Sequence, residues 1–312
     1  MTPSSILTTH GLGKRFGKRW AVRNLNIAVE KGDVYGFLGP NGAGKSTSIR
    51  MILSLIRPSE GDVTLMGHSL KKNRSEALRR IGGIVERPDF YLYLSAFRNL
   101  EIVGSLYGAI PKKRISQVLE LVGLENRAYD KVKTFSHGMK QRLGIAQTLL
   151  SDPEFIILDE PTNGLDPQGM KEIRDLIIHL SQNENKTILL SSHLLHEIEL
   201  VATRMAIIHR GALVVQGKVQ ELLDGGANYV LLKAEPREAV RTVFSGMTTA
   251  LKGVKENEQG FRLELPFSLI PDLVKMLAAH DIKVFSIEQK RSLEEYFLSI
   301  TEEQTGAAHI QV

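Results

Sequence analysis

Val34-Tyr35-Gly36-Phe37-Leu38 runs directly into Gly39-Pro40-Asn41-Gly42-Ala43-Gly44-Lys45-Ser46-Thr47. A short buried-strand candidate thus opens onto a glycine-rich turn of the form G-x-x-x-x-G-K-[ST], the phosphate loop, in the strand-then-helix setting that gives the match meaning. Glycines let the backbone wrap around phosphate oxygens so that several N–H groups point inward. A helix starting near Gly44 adds the positive end of its dipole. In such a loop Lys45 reaches the β- and γ-phosphates and the Ser46 hydroxyl holds Mg²⁺, so residues 39–47 are expected to bind a nucleoside triphosphate.

Outward from this stretch, the first two-thirds of the chain alternate short apolar runs with amphipathic segments, the pattern of an α/β domain with a largely parallel sheet. Phe155-Ile156-Ile157-Leu158 and Thr187-Ile188-Leu189-Leu190 are two further strand candidates, and both end at polar residues. Ligands of open α/β sheets gather beyond the carboxyl ends of the strands, so those polar residues are site candidates. Asp159 and Glu160 close the first run. Two adjacent carboxylates at a strand end are costly unless a cation or a water needs them. Asp159 suits the Mg²⁺ shell, directly or through water, and Glu160 suits a general base for an attacking water. Between about residues 87 and 150 the strand signal fades, and 94–106, 113–122 and 138–150 read as helices of an insert.

Gly225-Gly226 is a break signal, dividing a domain over 1–224 from a smaller one over 225–300 and a loose tail over 301–312. Strand 229–234, helix 236–244, strand 261–265, helix 269–279 and strand 283–287 suggest a βαββαβ-like, ferredoxin-like α+β domain. An amphipathic helix is expected over 293–300.

Composition narrows the function classes. With 42% hydrophobic and 24% charged residues, the 312-residue chain has the material for an ordinary core. The absence of cysteine excludes disulfides and thiolate metal sites. There is no apolar run near the roughly 18 residues that span a bilayer, and residues 1–9 lack the basic-then-apolar order of a secretory signal. Any role at a membrane is therefore expected to run through docking onto another chain. The net charge of +5 comes from scattered clusters (Lys14-Arg15, Lys18-Arg19, Arg79-Arg80, Lys112-Lys113-Arg114) with acids nearby, which reads as solvated surface rather than a nucleic-acid track.

Phe135-Ser136-His137-Gly138-Met139-Lys140-Gln141-Arg142 resembles the signature of the ABC ATPases, which is leucine-serine-glycine-glycine-glutamine followed by a basic residue, glutamine and arginine. It precedes the acid-ending strand, as in that family, and the resemblance covers about residues 5–224. The resemblance implies an α/β P-loop NTPase fold of ABC type, with an antiparallel β subdomain and a helical insert. It also implies binding of ATP and Mg²⁺, and ATP hydrolysis that drives transport through a separate integral membrane permease. The implied partner cassette is a second copy or a related ABC ATPase chain, and the implied location is the cytoplasmic face of the inner membrane. No nucleic-acid partner is expected.

In the family, the signature serine and second glycine meet the γ-phosphate held by the other subunit; the matching residues here are Ser136 and Gly138. The chain departs from the pattern with His137 for the first glycine and Met139 for the glutamine. Gly164-Leu165-Asp166 resembles the loop linking the two subunits' sites, with Asp166 as its contact, and His193 resembles the switch histidine that touches the γ-phosphate. Phe16 resembles the aromatic residue that stacks on adenine, with Trp20 as the alternative. Glu86 stands where the family carries a glutamine that senses Mg²⁺ and water. A glutamate there can ligate Mg²⁺ but brings negative charge beside the triphosphate. Residues 87–94, Pro88, Tyr91 and Tyr93 among them, are a candidate docking surface, unless these aromatics belong to the insert's own core. Ser292-Leu293-Glu294-Glu295-Tyr296-Phe297-Leu298 resembles the closing helix of drug, lantibiotic and bacitracin-resistance exporter ATPases. The resemblance thus implies an exporter of a drug, peptide antibiotic or lipid-like compound. A different phosphate-loop ATPase or kinase fits the signature segment poorly. The remaining alternative is a soluble ABC-type ATPase acting on ribosomes or nucleic acid; a single cassette without heptads speaks against it.

Overall fold

The run that precedes the phosphate loop is buried along its whole length, because a central strand of a parallel sheet is covered on both faces. In the computed structural model, which describes residues 5–86, 88–108, 110–224, 229–245, 252–257, 260–265, 267–290 and 297, it lies at the middle of a six-stranded sheet. The chain divides into two compact units, Met1–Val219 and Gln220–Val312. Gly225-Gly226, Arg87, the tail over 301–312 and all but Phe297 of the expected last helix lie outside the described residues.

In the first unit an antiparallel sheet is built from β1 (Ser5–Phe16), β2 (Arg19–Leu25), β3 (Ala28–Glu30), β5 (Glu60–Leu65) and β6 (His68–Ser69). The six-stranded sheet contains β4 (Val34–Leu38), β7 (Ile81–Ile84), β8 (Phe155–Leu158), β9 (Thr187–Ser192), β10 (Arg204–His209) and β11 (Ala212–Lys218), in the order β11-β10-β4-β9-β8-β7. All its pairs are parallel except β10 with β11. Phe155, Ile156, Ile157 and Leu158 of β8 are all fully buried, which explains why the strand reads as a continuous apolar run without alternation. Leu7, Leu12 and Val22 of the first sheet share one core with Phe37, Ile157 and Leu189 of the second.

Helices α1 (Lys45–Ile52) and α2 (Arg74–Leu78) precede β7. Between β7 and β8 come α3 (Ala96–Gly104), α4 (Lys112–Leu121) and α5 (His137–Leu149), the expected insert. Ser95 caps α3 by accepting the Arg98 N–H, and Ser136 caps α5 by accepting the Met139 N–H at 3.2 Å. Helix α6 (Pro167–Gln182) begins with proline after Asp166, whose carboxylate accepts the Gly169 N–H at 3.1 Å. Helix α7 (Leu195–Val201) follows β9, and α8 (Val219–Asp224) begins where the two units divide.

The second unit contains β12 (Tyr229–Glu235), α9 (Arg237–Ser245), β13 (Lys252–Asn257), β14 (Gly260–Glu264), α10 (Ile270–Ala279) and β15 (Lys283–Lys290). The sequence of elements is β-α-β-β-α-β, and the spatial order β13-β14-β12-β15 is antiparallel throughout, a ferredoxin-like arrangement. Strand β13 was not among the elements read from the sequence. Leu232 of β12 is fully buried in this unit's own core with Phe261, Leu263 and Leu277. Leu232→Ala is therefore expected to destabilise the unit by about 2–5 kcal/mol, seen as faster amide exchange in β12 and β14; unchanged exchange would show that this core is not what holds the sheet.

Candidate functional site

The carboxyl ends of β4, β8 and β9, adjacent parallel strands, bring the phosphate loop, the acid pair and His193 to one edge of the sheet, the edge at which ligands of such sheets bind. Gly44 caps α1 in a left-handed conformation, φ 109°. A Cβ there would sit 2.6 Å from the carbonyl oxygen of Ala21, so only glycine fits both the angle and the space. Strand β2 thus lies against the amino end of α1, and the N–H of Gly211, which packs on the same Ala21 carbonyl, braces the loop by donating to the Ala43 carbonyl at 2.9 Å. The first-turn N–H groups of α1 have no intrahelical carbonyl ahead of them, which makes this end an anion receptor.

Lys45 is only 5% exposed. Its Nζ donates to the carbonyls of Gly39 at 2.6 Å and Pro40 at 3.3 Å, and lies 3.1 Å from Oε1 of Glu160. The other oxygen of Glu160, Oε2, lies 2.8 Å from Nδ1 of His193. One carboxylate, 19% exposed, is thus held between an ammonium group and an imidazole. Lys45, Glu160 and His193 were each expected from the sequence, and the structure brings all three together. It places His193 on Glu160.

Asp159 is buried, and its Oδ1 accepts a hydrogen bond from the Ser191 hydroxyl at 2.6 Å. The same hydroxyl accepts the Glu160 N–H at 2.9 Å. Ser191 is the residue that sequence reasoning missed. The available signal was a polar pair, Ser191-Ser192, closing an apolar run, since a hydroxyl on a central strand needs a buried partner.

Ser46 lies in the first turn of α1 beside Lys45. Glu86 is placed differently: its backbone is left-handed, φ 66°, and its carboxylate, 68% exposed, pairs with Arg50 of α1. The Glu86 charge therefore has its counter-ion on the helix that follows the phosphate loop.

Ser136 and Gly138 occupy the capped amino end of α5. A Cβ on Gly138 would meet Gly169 Cα at 3.9 Å and Leu165 Cδ2 at 4.0 Å, so nothing among the described residues requires glycine there. His137 lies with Nε2 3.4 Å from the carbonyl oxygen of Asn163, beside the Gly164-Leu165-Asp166 loop. The Asp166 carboxylate is engaged as the cap of α6. Phe16, 55% exposed, ends β1, with the Lys14 ammonium 5.2 Å from its ring centre. Trp20 is held more closely: a Cβ on Gly13 would lie 3.1 Å from its ring. Of the two aromatics, Phe16 is the more exposed. In the insert, Tyr93 is 67% exposed and meets the exposed Tyr91 edge-on at 6.1 Å, so these rings do not belong to the insert's core.

A family profile described as ABC transporter matches residues 22–163. The chain is 40% identical over 301 residues to an uncharacterized ABC transporter ATP-binding protein of Bacillus subtilis (strain 168), covering 96% of this chain and 97% of that protein. It is 42% identical over 300 residues to the bacitracin transport ATP-binding protein of Bacillus licheniformis, covering 95% and 97%. Among solved structures it is similar to a dimeric, post-hydrolysis ATP-binding cassette bound to ADP and Pi. That match has 25% identity and a TM-score of 0.61, over 68% of this chain and 98% of that one. These relatives lend no support to an ATPase acting on ribosomes or nucleic acid.

Proposed function

The chain belongs to the ABC transporter family as an ATP-binding, ATP-hydrolysing subunit that pairs with a second cassette and a membrane permease, and from this premise we propose that each ATP is hydrolysed between two facing cassettes to drive export of a peptide antibiotic, drug or lipid-like compound. The observation that carries the reading is the Glu160 carboxylate held by Lys45 and His193 beside the phosphate loop. Residues 39–47 receive the phosphates of ATP, with Lys45 on the β- and γ-phosphates. Incoming phosphate then competes with Glu160 for the Lys45 ammonium, which frees the carboxylate to face water. Glu160 accepts the proton of that water as its oxygen bonds to the γ-phosphorus and the bond to the ADP oxygen breaks. His193 keeps the carboxylate oriented and reaches toward the γ-phosphate.

Mg²⁺ fits the oxygen donors present. Ser46 stands beside Lys45, and buried Asp159 has one oxygen fixed by Ser191, leaving the other for the ion. So small a protein set is usual for Mg²⁺, which takes one or two carboxylates together with substrate phosphates. When bound, the ion neutralises charge on the β- and γ-oxygens. In this reading Glu86 acts as a sensor from its place at Arg50, and the exposed rings of Tyr91 and Tyr93, which follow it in the chain, form the docking surface. Ser136, Gly138 and the Asp166 loop complete the partner cassette's pocket. Among the described residues no helix is long and apolar enough to cross a membrane; we place the chain at the cytoplasmic face of the inner membrane, held there by its permease.

Phe16 stacks on adenine. Phe16→Ala is expected to raise the KM for ATP about tenfold with kcat nearly unchanged, the signature of lost uniform binding. Trp20→Ala is expected to leave KM alone, and the reverse pattern would reassign the stack to Trp20. The function as a whole is tested by reconstitution with the permease in vesicles. ATP-dependent movement of a labelled bacitracin-type peptide supports it. Co-purification with ribosomes or RNA and no ATPase response to the permease would contradict it.

A further inference from the structure

Glu160 adopts φ 50°, a left-handed conformation that is unfavourable for a residue with a Cβ and is held by its surroundings. The parallel ladder of β8 and β9 ends at Leu158 opposite Leu190, and one residue further on the chain turns away from the sheet. The next group on β9 is Ser191, fully buried, and its hydroxyl takes over as the acceptor for the Glu160 N–H at 2.9 Å. An amide N–H can only donate, so the hydroxyl proton is left for another acceptor, and it goes to Asp159 Oδ1 at 2.6 Å. Both hydrogen bonds have their directions fixed by chemistry. A charge-assisted bond to a carboxylate in a dry setting is of the stronger kind.

From this arrangement we infer that Ser191 is a positioning residue for hydrolysis. Its one hydroxyl sets the rotation of the Asp159 carboxylate and fixes the strained Glu160 backbone. Strand β9 thereby grips the catalytic glutamate at two points: Ser191 at the amide, and His193, just beyond the strand, at the carboxylate. Without the hydroxyl, Glu160 loses the bond that offsets its left-handed angle, and its carboxylate drifts from the line to the γ-phosphorus. The loss should appear chiefly in the chemical step, because among the described residues the Ser191 hydroxyl bonds to Asp159 and to the Glu160 amide. The inference rests on the reading of Glu160 as general base given above.

The test is steady-state and single-turnover ATP hydrolysis by the full chain with its permease, for Ser191→Ala, Ser191→Thr and Glu160→Gln, alone and combined. Ser191→Ala is expected to lower kcat about tenfold or more, because small misplacements of a reacting group are costly. Its KM for ATP is expected to change less than kcat, and its thermal midpoint to fall only modestly, because the buried Asp159 oxygen and the Glu160 N–H each lose a partner. Ser191→Thr, which keeps the hydroxyl on a strand that tolerates β-branching, is expected to restore most of the rate. Adding Ser191→Ala to Glu160→Gln is expected to cost little more, since residues acting as one unit are not additive. A wild-type kcat in Ser191→Ala, a full further loss in the Glu160→Gln background, or a rate that Ser191→Thr does not restore would each overturn the inference. If Glu160→Gln itself turns over at the wild-type rate, the general-base reading is what fails. If Glu160→Gln is inactive and Ser191→Ala is not, only the role of Ser191 falls.

Discussion

Glu160→Gln is expected to bind ATP normally, to accumulate as an ATP-bound dimer, and to hydrolyse about a hundred- to a thousandfold more slowly than the wild type. Glutamine has nearly the same shape: its one amide oxygen can accept from Lys45 while its NH2 donates to Nδ1 of His193, the groups that lie 3.1 and 2.8 Å from the Glu160 oxygens. It cannot take a proton from water. The substitution also removes the negative charge opposite Lys45, so phosphate no longer competes for that ammonium and ATP should bind at least as tightly. Hydrolysis is what separates the paired cassettes in this account, so a subunit that binds but does not cleave stays paired. Single-turnover phosphate release and the solution mass with Mg-ATP check both halves. Rapid turnover in this variant would remove Glu160 from its role.

Gly138→Asp is expected to abolish turnover, by about a hundredfold or more, while leaving the fold intact. Inside the chain there is room for the new side chain, since the nearest atoms to a Cβ are 3.9 and 4.0 Å away. An acidic residue in the first turn of α5 even favours the helix dipole, so the thermal midpoint is expected to hold or to rise slightly. The damage comes from outside: the carboxylate meets the γ-phosphate carried by the partner cassette and repels it. A stable but inactive variant therefore locates the ligand of this helix end in another subunit. A large drop in thermal midpoint would instead make Gly138 a packing glycine.

What the sequence discloses follows from how local the physics is. The phosphate loop is legible because its strand, turn and helix are contiguous, and Asp159 and Glu160 because a four-residue apolar run ends on them. Ser136 is legible as a helix cap for the same reason. Strand β13 is not: Lys252-Gly253-Val254-Lys255-Glu256-Asn257 is an edge strand with one large apolar residue, so it carries no alternation to read, and β14 alone recruits it. The pairing of Glu86 with Arg50 and the bridge from Ser191 to Asp159 and Glu160 join residues far apart in the chain, through a strand order that hydrophobic periodicity does not encode. The exposure of Tyr91 and Tyr93 belongs to the same class, because an aromatic residue reads alike in a core and on a docking surface.

Mixing two inactive variants tests most directly whether nucleotide is shared between cassettes. A Lys45→Ala chain keeps the Ser136–Gly138 helix end but loses the phosphate grip, and a Gly138→Asp chain does the opposite. In a mixed pair, one site inherits both defects and the other inherits neither. Random pairing with the permease is therefore predicted to restore turnover, up to about a quarter of the wild-type rate. A mixture as inactive as its two components would contradict the account.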